Sequence, residues 1–191
     1  MIELYDYDEA AMHKFFIAFS SMHIELARFS KPLICAINGY SPAGGTVIAI
    51  TADYRIMVGE DNYTIGLNEI AVNIQISQML VNAYAFWIGN AKAHQFIMDG
   101  KLLNPSEALE VGLIDEITTA EDLLPRAEQK MQQYLLADPG IYKNTKAKLR
   151  KYWLDEIDKF AAEDLEQAME VWFKPAVKSR MKLFVDKLAK R

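Results

Sequence analysis

Residues 33–45 read LICAINGYSPAGG, and few architectures accept residues in that order. Leu33–Ile37 is an apolar run bounded by Lys-Pro and Asn-Gly, the pattern of a short strand buried on both faces. Asn38-Gly39 marks a turn. Ser41 followed by Pro42 fits an N-cap with proline at the first helical position, which predicts a helix over about 42–51. Tyr54–Val58 reads as another strand, GEDN (59–62) is turn chemistry, and YTIG (63–66) returns briefly to extended structure. Strand, turn, helix and strand in close succession place the chain in the α/β class.

The flanks are helical. Met12, Phe15, Phe16, Phe19, Met22, Ile24, Leu26 and Phe29 recur mostly at spacings of three and four, predicting an amphipathic helix over about 8–29 that ends before Pro32. After Glu69, helical patterns cover about 74–87 and about 91–98. Asn104-Pro105 with Glu107 forms a cap, proline and capping-box start to a short helix ended by Gly112. LIDEI (113–117) resembles a last strand. Thr119 caps a helix over about 120–136 that DPG (138–140) stops. Residues 141–191 are helical and charged, broken at Pro175. The aromatics Tyr152, Trp153, Phe160, Trp172, Phe173 and Phe184 in that segment need a packing partner, and neighbouring subunits are a candidate. The expected division is an α/β core over residues 1–118 and a helical region over 119–191.

Charge and composition exclude several classes. With 21 basic and 26 acidic residues among 191, the chain has a net charge of −5 and no global electrostatic footprint for nucleic acid. KNTKAKLRK (143–151) is a local basic patch. No apolar stretch approaches the roughly 18 residues of a membrane span, and the acidic start lacks the pattern of a secretory leader. A reducing, aqueous compartment, the cytoplasm, is expected. The one cysteine, Cys35, lies inside LICAI and reads as a small buried hydrophobe. His13, His23 and His94 are scattered, with no pair at metal-ligand spacing, so no metal is expected.

Two places carry chemistry. Gly44 and Gly45 fall in the first turn of the expected helix, where N–H groups have no intrahelical partner and suit a phosphate or an oxyanion. No Gly-Lys-Ser/Thr or Gly-x-Gly-x-x-Gly lies nearby to favour phosphate. Close helix-to-strand packing is the competing explanation for both glycines. Glu69 stands between IGLN and IAV, and burial there raises a carboxyl pKa toward the range useful for moving protons. The alternative is a helix-start or surface acid. Ser41 lacks a Gly-x-Ser-x-Gly context for a nucleophile. Asp53 reads as a hydrogen-bonding turn residue.

Taken together, KPLICAINGYSPAGGTVIAITADYRIMVGEDNYTIGLNEIAV resembles the heart of the enoyl-CoA hydratase/isomerase family, also called the crotonase superfamily. AKAHQFIMDGKLLNPSEALEVGLIDEI resembles the segment that follows in that family. The similarity runs from about Phe29 to Ile117 and more loosely into the C-terminal helices. It implies a crotonase-like spiral of ββα turns, then helices that build homotrimers or hexamers. It implies coenzyme A thioester substrates and no separate cofactor. In the family an oxyanion-hole N–H comes from the glycine run, which maps to Gly44. Ser41, Pro42, Ala43, Gly45, Leu67 and Asn68 then surround the substrate.

Family hydratases carry a pair of glutamates, and the first position here is Val47, in GGTVIAI, whereas the second is Glu69. SPAGG, DYRI and IGLNE are most similar to the mitochondrial-type Δ3,Δ2-enoyl-CoA isomerases, in which the glutamate of the last string is the base. The resemblance therefore implies that Glu69 carries a proton from C2 to C4 of a 3-enoyl thioester. Hydratase or other enolate chemistry is the alternative within the family, and a catalytically inactive binding or oligomerisation module is the alternative outside it. The segment IAVNIQISQML lacks the Pro-Gly-rich stretch common in hydratases. The family's opening strands, and a loop that supplies a further oxyanion N–H, have no counterpart before Asp8. The basic stretch KSRMKLFVDKLAKR (178–191) is either a solvated helix face or a contact for coenzyme A phosphates.

Overall fold

Two short parallel sheets organise the centre of the chain. The first has the order β1 (Ile34–Ile37), β3 (Tyr54–Val58), β5 (Glu116–Thr118), and the second pairs β2 (Ser41–Pro42) with β4 (Ile65–Gly66). This computed structural model describes residues 2–188, the side chains of Ile2, Asp158, Lys187 and Leu188 excepted. Met1 and the last three residues of the basic C-terminal stretch lie outside the described residues.

Each turn of the chain repeats a unit. β1 and β2 lead into α3 (Gly44–Ala49). β3 and β4 lead through the 3-10 turn Glu69–Val72 into α4 (Gln78–Ile88) and α5 (Asn90–Asp99). A third pass begins where Leu103 bridges antiparallel to Ile65, continues through α6 (Pro105–Glu110) and closes on β5. The result is the ββα spiral expected. Because the spiral encloses its strands, Ile37, Met57, Ile65, Leu67 and Leu103 share one apolar core with the inner faces of α4 and α5. Arg55 on β3 is fully buried, and its charge is met by Asp115 at 2.6 Å while the guanidinium lies over Trp87 at 3.5 Å.

Helices close the two ends. α1 (Ile2–Tyr5) precedes α2 (Glu9–Arg28), whose N-cap Asp8 accepts the Ala11 N–H. α7 (Leu123–Tyr134) packs on β1 and β3, α8 (Pro139–Trp172) on α4 and α2, and α9 (Pro175–Leu188) on α1 and the 3-10 turn. Asp53 acts as the turn residue expected and more. Its carboxylate accepts the Leu33 N–H and pairs with Lys146 at 2.6 Å and Arg150 at 2.7 Å, which fastens α8 to the sheet. The basic patch KNTKAKLRK thus turns two of its cations inward.

Several expectations are corrected. Ser41 and Pro42 are a strand, not a cap and first helical turn, because the Ser41 N–H donates to the Thr64 carbonyl at 2.8 Å and holds that backbone extended. The last strand starts at Glu116, since the Leu113 and Ile114 N–H groups turn back to the Ala108 carbonyl. Residues 74–77 precede α4, and Ser77 caps it. Thr119 does not cap α7 but accepts the Asp122 N–H before the helix begins at Leu123. Of the C-terminal aromatics, Trp153 and Trp172 are buried within this chain and Tyr152 is exposed.

Candidate functional site

A cavity of about 480 Å³ lies where α2, the start of α3, the 3-10 turn, α8 and α9 converge. Of the residues expected around the substrate, Pro42, Ala43, Gly44, Gly45, Asn68 and Glu69 border it. Ser41 and Leu67 do not. Ser41 turns its side chain under Gly45, and Leu67 belongs to the core of the spiral.

The glycines divide into two roles. A Cβ at Gly45 would meet Ser41 Oγ at 2.5 Å, so close packing accounts for that residue. A Cβ at Gly44 would meet no protein atom within 4 Å, so packing does not account for this one; the space beside it belongs to the cavity. The N–H groups of the first turn have no intrahelical acceptor. Their position is fixed from below. Thr46 Oγ1 lies 2.6 Å from the Ser41 carbonyl and 3.0 Å from that of Gly66, and accepts the Gly66 N–H at 2.8 Å. Ala43 adopts φ 48° and ψ −112°, a conformation that costs a non-glycine residue about 1–3 kcal/mol. Its N–H donates to the Gly66 carbonyl and its own carbonyl accepts the Val47 N–H, both at 2.9 Å. This strained link is what swings the chain from β2 into α3 at the cavity wall.

Glu69 enters from the other side. Its side chain is buried, its Oε2 has no hydrogen-bond partner, and burial pushes its pKa from 4.5 up to about 7 against the opposing pull of its own backbone N–H. Behind it, Tyr84 on α4 is fully buried with an unpartnered hydroxyl, and the nearby Glu69 charge adds to the burial that raises the phenol's pKa. The segment carrying Glu69 is held by the C-terminal helices. Arg180 donates to the Ala71 carbonyl at 3.1 Å, Gln75 bonds to Gln167, and Asp164 accepts the Gln78 N–H at 3.0 Å. Asp164 also borders the cavity, but both its oxygens face that N–H.

His23 is a cavity residue that the sequence reading left unassigned. It is 1% exposed, its Nε2 has no partner, and burial drives its pKa down to about 4 despite a hydrogen bond to the Val47 backbone. The ring therefore stays neutral across the physiological range. The signal was its place four and seven residues after Phe19 and Phe16, on the apolar stripe of α2. Among the described residues, one carboxylate with a near-neutral pKa and an unpartnered oxygen borders the same largely apolar cavity as the first-turn backbone of α3. Such a pair can lift a proton beside a group on which negative charge develops. Among the described residues no cluster of metal-ligating side chains forms, and no helix is long and apolar enough to cross a membrane.

A family model described as enoyl-CoA hydratase/isomerase matches residues 3–190. The mitochondrial enoyl-CoA delta isomerase 1 of Rattus norvegicus is 30% identical over 191 residues, covering 100% of this chain and 66% of the relative. That of Homo sapiens is 28% identical over 171 residues, covering 90% of this chain and 57% of the relative. The chain thus spans less than two thirds of the length of these relatives. Their names place them in mitochondria, which lends the cytoplasmic expectation no support. The crystal structure of human mitochondrial delta3-delta2-enoyl-CoA isomerase superposes with a TM-score of 0.94 at 26% identity, covering 100% of this chain and 74% of that one. An enoyl-CoA hydratase from Bacillus halodurans shares the fold, with a TM-score of 0.83 at 20% identity over 96% of this chain and 74% of that one.

Proposed function

The chain belongs to the enoyl-CoA hydratase/isomerase family, and on that premise we propose that it moves the double bond of a 3-enoyl coenzyme A thioester to the 2-position. The carboxylate of Glu69 removes a C2 proton, and the electron pair passes into a dienolate whose charge rests on the thioester oxygen. The Gly44 N–H donates to that oxygen. Protonated Glu69 then delivers the same proton to C4, giving the conjugated 2-trans thioester and restoring the carboxylate. Coenzyme A enters as part of the substrate, and the chemistry asks for no other cofactor.

The observation that supports this reading is that, among the described residues, Glu69 is the one carboxylate on the cavity free to react, with apolar Val47 also on its wall. A single base whose pKa lies near neutrality accepts and returns a proton with little loss in either direction. Adding water to a double bond asks for a second polar group to hold and activate that water, and Val47 offers none. Exposed Leu136, Ile141, Leu149 and Tyr152 at the end of α7 and along α8 support self-association, as a homotrimer or hexamer. The test is to supply 3-enoyl-CoA and 2-trans-enoyl-CoA separately and weigh the products. Rearrangement of the first without change of mass, and no uptake of water by the second, is expected. Addition of water to the second at a comparable rate would replace isomerisation with hydration.

A further inference from the structure

We propose that Tyr84 is a positioning residue for the base: its hydroxyl donates a hydrogen bond to Oε2 of ionised Glu69, which leaves the other carboxylate oxygen to take and return the proton. The inference rests on the reading of Glu69 as the base that acts on an acyl thioester. Leu80 on α4 borders the same cavity as Glu69, and Tyr84 follows Leu80 one turn later on the same face of the helix. Tyr84 is 0% exposed, and a phenol buried to that degree ordinarily bonds through its hydroxyl. This hydroxyl has no partner, and neither has the buried Oε2 of Glu69. Each lacks what the other supplies, because a phenol offers an O–H and an ionised carboxylate only accepts. The two groups also act on each other: among the described residues, Glu69 is the one charged group whose field reaches the Tyr84 phenol.

The bond forms by rotation of side chains alone. The terminal torsion of a glutamate is broad, whereas the backbone of the 3-10 turn is fixed by Arg180 on the Ala71 carbonyl and by the Ile74 N–H on the Glu69 carbonyl at 2.9 Å. A hydrogen bond to an ionised acceptor is about twice as strong as one between neutral groups, so the phenol holds the charged base more firmly than the protonated one. Tyr84 keeps its own proton, since burial and the Glu69 charge both raise its pKa. The other titratable groups around the turn do not take this role. On α5, Lys92, His94 and Asp99 are exposed, and on α9, Lys178 bonds to the Tyr5 carbonyl while Lys182 pairs with Asp186. Asp164 on α8 faces the Gln78 N–H, and His23 on α2 is neutral.

The test follows the Glu69 carboxyl carbon by NMR against pH in protein carrying carbon-13 in its glutamate side chains, with Glu69→Gln identifying the signal by its loss. A donor to the charged form lowers a carboxyl pKa, so Tyr84→Phe, which keeps the ring and its packing, should raise the Glu69 midpoint by about one to two pH units. Replacing Tyr84 by 3-fluorotyrosine, a more acidic donor of nearly the same shape, should lower it, and serves alone should the first variant fail to fold. The pH midpoint of kcat/KM for 3-enoyl-CoA should move in step. A Glu69 midpoint that stays in place in the variants, or moves the other way, overturns the inference whatever the activity, and leaves isomerisation standing if wild type converts 3-enoyl-CoA. Midpoints that move as described in a protein that does not convert it support the tie between Tyr84 and Glu69 and remove the isomerase reading.

Discussion

Glu69 joins catalysis to stability through one proton, and Glu69→Gln separates the two effects. Burial raises the carboxyl pKa from 4.5 to about 7 in the folded protein, whereas the unfolded chain keeps the ordinary value. A group whose folded pKa is raised contributes stability below its unfolded pKa and loses it as pH climbs toward the folded one. That displacement corresponds to about 3 kcal/mol at roughly 1.4 kcal/mol per tenfold. Urea unfolding of wild type and Glu69→Gln at intervals from acid to mildly alkaline pH should show wild type weakening relative to the variant between about pH 4.5 and 7, and no further above it. The change of that difference with pH is the readout, since other titrating groups cancel in it and the fixed effect of the amide only offsets it. In parallel, wild-type kcat/KM should fall about tenfold per pH unit below about 7, because the base must be ionised. A constant difference in stability across this range would refute the claim that Glu69 is held in an apolar setting.

Further perturbations separate neighbouring parts of the site. Gly44→Ala should leave the urea midpoint nearly unchanged and lower kcat/KM on the order of 10²-fold by displacing the substrate, whereas Gly45→Ala should destabilise by about 1–3 kcal/mol through its clash with Ser41. Ala43→Gly should stabilise by about 1 kcal/mol, the strain relieved less the entropy of glycine, and Ala43→Val should destabilise in the same urea titration. Asp53→Ala strands Lys146 and Arg150 without a partner in the interior and should lower stability by about 3–5 kcal/mol. Its readout is the same urea midpoint.

The parts of the fold that local chemistry controls were legible in the sequence. The apolar runs 33–37 and 54–58 did form strands, and Asn104, Pro105 and Glu107 did form a capping box, because each depends on contacts within a few residues. Ser41-Pro42 was misread for a reason of the same kind. Cap and strand use the same residues, and the decision came from Thr64 and Gly66, more than twenty positions away. The two glycines could not be told apart in a string of letters; only the place where each missing Cβ would point separates packing from access. His23 and Tyr84 escaped notice because a lone polar residue on an apolar stripe carries no local mark of what its helix faces. Nor did the aromatics of α8 reveal that Trp172 turns inward onto the cavity rather than outward toward a subunit.

The central claim is that one buried carboxylate moves a proton along an acyl thioester. It is tested most directly by mixing the protein with 3-enoyl-CoA and following the absorbance of the conjugated thioester, with Glu69→Gln alongside. A rise in wild type that the variant lacks, while the variant still binds a saturated thioester as tightly, is the predicted result. An equal rise in both would contradict the assignment of Glu69 as the base.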